Sequence, residues 1–309
     1  EIVGYNLKNE GMKVTHVDEG PIALDLFEEE HFDLVILDIM LPEISGLDIC
    51  RSIRKTSNVP IIMVTARDDE VDKITDAVLD KMNKEGYEDI GTVIESGTRP
   101  LSPEAFEAAA NETGAIILDV RHQDDFARGH VPQSIFIGIE GSFAPWVGAM
   151  IGNVKQPILL ITPEGREEET VTRLARVGFD NTLGYLNGGI SSWKKNGKTI
   201  DTVEGIDVES FKPLAENSTI FDVRKPGEYL SEHLVNANST PLDFLNNHMS
   251  EFPSKGNFYI HCAGGYRSMI AASILKSRGI HNLIDVRGGF SAIKEGGMKV
   301  SDYVCPSTL

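Results

Sequence analysis

The segment AIILDVRHQDDFARGHV at residues 115–131 returns as STIFDVRKPGEYLSEHL at residues 218–234. In each, an apolar run ends on an Asp and a short polar stretch closes on a His. A second pair follows the first: GFDNTLGYLNGGISSW at 178–193 returns as GIHNLIDVRGGFSAI at 279–293. Recurrence at a fixed spacing of about 100 residues means two copies of one domain. Within each copy the pattern runs helix, strand, loop, strand, helix, which is the alternation of an α/β unit with a parallel sheet. The first helix of copy one is expected to start at Ser102 as N-cap with Pro103 at its first position.

Upstream, Met82 to Pro100 is polar, with several glycines and no clear period, and reads as a linker. Residues 1 to about 80 again alternate. The expected elements are a helix to Glu10, strand Met12–Val17, helix Pro21–Glu30, strand Asp33–Leu37, helix Leu47–Arg54, strand Pro60–Thr65 and a last helix from Glu70. The organisation is therefore a block over 1–80, a linker over 81–98, and two domains over 99–200 and 201–309.

The chain has 309 residues, 41% of them hydrophobic and 25% charged, enough for several buried cores. Its net charge of −18 excludes nucleic acid as a partner, because the clustered Lys and Arg that a polyanion requires are lacking. Three cysteines, Cys50, Cys262 and Cys305, lie far apart and do not form a disulfide framework, so a reducing compartment, the cytoplasm, is expected. No apolar run approaches the ~18 residues of a membrane span, and none of the eight histidines forms a His-x-His pair or a metal-spaced cluster. Neither metal nor cofactor is implied. The first residue, Glu1, falls inside a helical pattern, so the true start is expected upstream.

Chemistry is written most clearly at FYIHCAGGYRSMIAASILKSRG, residues 258–279. Phe258–His261 reads as a buried strand and Met269–Lys276 has helical apolar spacing, which makes Cys262–Arg267 the loop at a helix N-terminus. Backbone N–H groups there have no intrahelical partner and, with the helix dipole, favour an anion such as a thiolate. Gly264 and Gly265 let the backbone curl without a Cβ clash, and Arg267 supplies a full positive charge. Most free cysteines are merely small buried hydrophobes. The position of Cys262, followed by two glycines and an Arg, argues instead for a nucleophile.

Cys262-Ala263-Gly264-Gly265-Tyr266-Arg267 resembles the Cys-x-x-Gly-x-Arg loop of the rhodanese family, and the two DVR segments resemble that family's structural signature. The resemblance covers residues 99 to 309. It implies transfer of sulfane sulfur through a Cys262 persulfide, with Ala263, Gly264, Gly265, Tyr266 and Arg267 binding the substrate, and small sulfur donors and acceptor thiols as partners. The pair is also similar to the C-terminal part of bacterial persulfide dioxygenases that carry a metallo-β-lactamase-like domain, which this chain does not contain. Asp222, Arg224 and His233, like Asp119, Arg121 and His130 in copy one, are expected to be scaffold: the Asp and Arg can pair with loop backbone and with a carboxylate such as Glu228. Copy one lacks the chemistry, since Thr162 stands opposite Cys262 and Glu167 opposite Arg267, with Glu164, Glu168 and Glu169 adding negative charge. A threonine hydroxyl without an adjacent base does not replace a thiolate. Copy one is expected to be inactive, a packing partner that walls one side of the Cys262 pocket, and Cys305 to be a tail residue.

The N-terminal block resembles the receiver domain of bacterial response regulators through FDLVILDIMLPEISGLDICRSIR (32–54) and VPIIMVTAR (59–67). That resemblance makes Asp38 the phosphoacceptor and Thr65 the switch hydroxyl. The family's acidic first strand would lie before Glu1, and the strand bearing its Lys is replaced by the linker, so nothing neutralises the charge of phosphoryl transfer. The overall expectation is an α/β chain of two tandem rhodanese-like parallel-sheet domains preceded by a partial flavodoxin-like receiver fragment. The leading function is sulfurtransfer at Cys262. The alternative is a two-component regulatory protein in which the receiver block accepts phosphate and the pair only binds.

Overall fold

The computed structural model describes residues 7–8, 11–38, 46–57, 59–64 and 90–305. The chain divides into two compact units, one made essentially of the residues up to Glu88 and the other of the remainder.

In the first unit, helix Gly20–Glu29 precedes strand β1 (Val35–Asp38), helix Gly46–Arg54 and strand β2 (Ile61–Val64). The strands pair in parallel, Val35 opposite Ile61 through Asp38 opposite Val64, as a helical crossover requires. Residues 12–17, expected as a strand, are not one. A strand is held by bonds to a neighbour and has none within itself, and no described strand lies beside this segment. Thr65 and the helix expected from Glu70 lie outside the described residues.

The second unit holds two five-stranded parallel sheets. Copy one contributes β3 (Pro100–Leu101), β4 (Ile116–Asp119), β5 (Ile135–Phe136), β6 (Ile158–Ile161) and β7 (Thr182–Leu186), in the order β3-β7-β6-β4-β5. Copy two contributes β8 (Glu204–Ile206), β9 (Ile220–Asp222), β10 (Ala237–Ser239), β11 (Phe258–His261) and β12 (Leu283–Val286), in the order β8-β12-β11-β9-β10. Counted within each copy, the two orders are the same. The central strands read ILLI and FYIH and are buried at every position, as sheets covered on both faces demand. Phe106, Leu159, Ile161 and Trp193 fill one core beside the first sheet, and Phe211, Ile220, Tyr259 and Ile293 fill its counterpart.

Ser102 caps helix Pro103–Thr113 by accepting from the Ala105 amide, and Pro103 occupies the first turn. Part of the expected linker is not a loop. Residues Ile90–Gly97 form a helix packed on helix Glu167–Ala175 and on β7. Val93 is buried there, and the missing side chain of Gly97 lets the helix approach Val171, whose methyl carbons would stand 2.7 Å from a Cβ at that position. Among the described residues, no helix is long and apolar enough to cross a membrane, and no group of three or more His, Cys, Asp or Glu is placed to hold a metal ion.

Candidate active site

Strand β11 ends at His261, and helix Tyr266–Ser277 begins five residues later, so the four residues Cys262–Gly265 must turn between them. Gly265 makes this possible with φ +106°, a conformation that a side chain would strain. Cys262 is only 1% exposed, and its Sγ accepts a hydrogen bond from the Gly265 amide at 3.1 Å. Ala263 is half-buried and Gly264 forms the exposed rim.

A second helix fixes the loop from its other side. The Phe290 and Ser291 amides, in the first turn of helix Gly289–Glu295, donate to the Cys262 carbonyl at 2.7 Å and the Ala263 carbonyl at 3.1 Å. Gly289 must be glycine for this approach: a Cβ there would stand 2.4 Å from the Cys262 carbonyl oxygen. The doubled glycine was visible as part of the repeat, and its closeness to Cys262 was not.

Asp222 and Arg224 lie behind this helix. The Arg224 guanidinium binds both Asp222 oxygens at 2.7 to 3.0 Å, donates to the Glu232 carbonyl at 2.8 Å and lies 3.8 Å from the Phe290 ring centre. Copy one repeats the fork with Arg121, Asp119 and the Gly129 carbonyl. His233 stacks on Tyr229 at 3.9 Å with its Nδ1 2.8 Å from the Tyr229 carbonyl. His130 does the same with Phe126. Burial pushes the His130 imidazole down to about 4, so it is neutral at pH 7.

Two assignments differ from expectation. Glu228 does not pair with Arg224; it pairs with Arg267 through two hydrogen bonds of 2.5 and 2.8 Å and also accepts from the Lys225 amide at 3.1 Å. Arg224 cannot reach it because Asp222, two residues away on the strand end, already occupies the guanidinium fork. Burial pushes the Glu228 carboxyl up, but the Arg267 guanidinium outweighs this and holds it below the usual carboxylate range. Tyr266, expected against substrate, turns into copy one. Its hydroxyl donates to the Gly138 carbonyl at 2.7 Å, and its ring meets Phe136 edge-on at 5.8 Å. The Ser273 hydroxyl accepts from the Phe136 amide at 2.9 Å, and the Gly265 turn abuts Gln123. Copy one thus forms one wall of the loop.

The equivalent loop of copy one is filled by its own side chain. Glu167 Oε1 accepts from the Gly165 amide at 3.2 Å and the Thr162 hydroxyl at 3.1 Å. Gly165 corresponds to Gly265, so the amide that faces sulfur in one copy faces a carboxylate in the other. Arg166 is drawn outward to Glu140 and Glu169.

Sequence reasoning missed Asp285 on β12. It is 5% exposed, and burial, opposed by a Ser268 hydrogen bond and by Arg287, pushes its carboxyl up to about 6. Its Oδ1 has no hydrogen-bond partner. Asp38 sits half-buried at the last position of β1. Cys50 is buried in helix Gly46–Arg54, and Cys305 is exposed.

Comparison with known proteins gives the same two-part division. The response regulator receiver domain family matches residues 1–84, and the rhodanese-like domain family matches 102–196 and 207–296. The sensory transduction protein RegX3 of Mycolicibacterium smegmatis is 50% identical over 72 residues, which is 23% of this chain and 32% of that protein. The Mycobacterium tuberculosis counterpart is 49% identical over the same length. The chain therefore spans about a third of the length of these curated relatives. Among solved structures, a rhodanese-related protein from Thermoplasma volcanium is 26% identical and covers 32% of this chain and 97% of its own, with a TM-score of 0.30. A thiosulfate sulfurtransferase from Pseudomonas aeruginosa is 20% identical, covering 67% of this chain and 44% of its own, also with a TM-score of 0.30.

Proposed function

Because the chain belongs to the rhodanese-like family over residues 102–196 and 207–296, we propose that its second copy is a sulfurtransferase whose nucleophile is Cys262. The observation that carries this reading is the buried Cys262 sulfur accepting the Gly265 amide at 3.1 Å. An amide aimed at sulfur stabilises its charged form, and the thiolate is the reactive species.

In this reading the Cys262 thiolate attacks the outer sulfur of a donor. A bond from Cys262 to that sulfur forms, the donor's own bond to it breaks, and the electron pair leaves with the sulfite or thiol group. The loop amides then hold the persulfide until an acceptor thiol or cyanide removes its terminal sulfur and regenerates the thiolate. Copy one carries no chemistry, since Thr162 offers no thiol and Glu167 occupies the anion position. A reducing compartment such as the cytoplasm suits a working thiolate.

Thiosulfate followed by intact mass measurement tests the reading. One sulfur mass is expected on Cys262, removable by cyanide, lost in Cys262→Ser and retained in Thr162→Ala. Full turnover by Cys262→Ser, or persulfide on Cys50 or Cys305 instead, would refute it.

A further inference from the structure

Resting on that sulfurtransferase reading, we propose that Glu228 sets donor specificity, tuning the Cys262 loop toward donors with one negative charge and against dianionic thiosulfate. Between Cys262 and Arg267 the loop consists of Ala263, Gly264, Gly265 and Tyr266, so Arg267 is its only cation. That charge is already matched. Glu228 binds it through two hydrogen bonds of 2.5 and 2.8 Å, with the Arg267 side chain only 16% exposed. The carboxylate is itself anchored, because it caps its own helix Pro226–Ser231 through the Lys225 amide. An approaching anion therefore meets neutral dipoles and a cancelled ion pair, within a chain of net charge −18. In copy one the matching amide, of Gly165, holds a singly charged carboxylate.

The reaction balances for either donor class. Thiolate plus thiosulfate gives persulfide plus sulfite, with three negative charges on each side. Thiolate plus an organic thiosulfonate gives persulfide plus sulfinate, with two. The second case gathers less charge beside the Glu228 carboxylate.

Charge–charge energy is proportional to the donor's charge. Neutralising Glu228 should therefore raise kcat/KM for a dianion by the square of the factor it gives a monoanion. For Glu228→Gln the expected gains are about tenfold with thiosulfate and about threefold with methanethiosulfonate, both mainly through KM and both shrinking at high ionic strength. Glu228→Asp, which keeps the charge, should keep the wild-type ratio of the two donors. The full chain is assayed by thiocyanate release, with persulfide on Cys262 checked by mass. Equal changes for the two donors, or a fall with thiosulfate, would make the pair merely structural and overturn the inference. Absence of sulfur on Cys262 from either donor in the wild-type chain would remove the sulfurtransferase reading itself, and the inference with it.

Discussion

Replacing Gly289 by alanine tests how tightly the closing helix holds the Cys262 loop. The new Cβ would lie 2.4 Å from the Cys262 carbonyl oxygen and 2.8 Å from the Ala263 carbonyl carbon and oxygen, all of them backbone. The helix must retreat by about 1 Å to reach ordinary contact. That movement weakens the bonds from Phe290 and Ser291 to the loop, each contributing about 0.5 to 1.5 kcal/mol. A side chain at φ +57° adds about 1 to 2 kcal/mol of backbone strain. The total is about 2 to 5 kcal/mol. Copy one supplies the control: Gly189 has φ +54° but open space where its Cβ would go, so Gly189→Ala carries the backbone cost alone. Urea unfolding should place Gly289→Ala below Gly189→Ala by the loop contribution. Sulfur loading of Cys262, followed by intact mass, should slow about 100-fold in Gly289→Ala, the effect of an ångström of misplacement at a reacting atom. Gly189→Ala should load normally. Equal stability and equal loading in the two variants would refute the argument.

Two further outcomes concern Asp285 and Asp38. Asp285 ionises near 6 when folded against 3.8 ordinarily, so its contribution is favourable below about pH 3.8 and is lost as pH rises through 6. Asp285→Asn, which never ionises, should match wild type near pH 4 and exceed it by up to about 3 kcal/mol at pH 7.5, measured as urea midpoints; parallel pH profiles would rule this out. Among the described residues no group of three or more His, Cys, Asp or Glu is placed to hold a metal ion, so Asp38 should gain no mass from acetyl phosphate and Mg²⁺, and a stable phosphoryl adduct lost in Asp38→Asn would revive the regulatory alternative.

The two sheets were legible because a repeat carries its own evidence: two independent sets of residues specify one strand order. The Cys262 loop was legible because a cysteine, two glycines and a cation are adjacent in the chain. The partner of Arg267 was not. Glu228 lies 39 residues away, and Arg224, four residues from Glu228, was an equally reasonable choice until the Asp222 fork filled the Arg224 guanidinium. Helix Ile90–Gly97 was hidden because its glycines read as linker, although Gly97 is what allows it to touch Val171. Residues 12–17 show the reverse error, an alternating pattern with no neighbour to pair with among the described strands. Asp285 was unremarkable in sequence, since its burial depends on a crossing of helix and strand that no local pattern records.

The Tyr266 contact makes the first copy part of the second copy's loop. A Cβ on Gly141 would fall 2.3 Å from the Tyr266 ring, and one on Gly138 would meet the same ring at 3.2 Å. The two loops differ in sequence, TPEGRE at 162–167 and CAGGYR at 262–267. A side chain added to the turn that receives Tyr266 would be felt by the other copy. The shape of the Cys262 loop is thus held in part by two glycines that belong to the other copy.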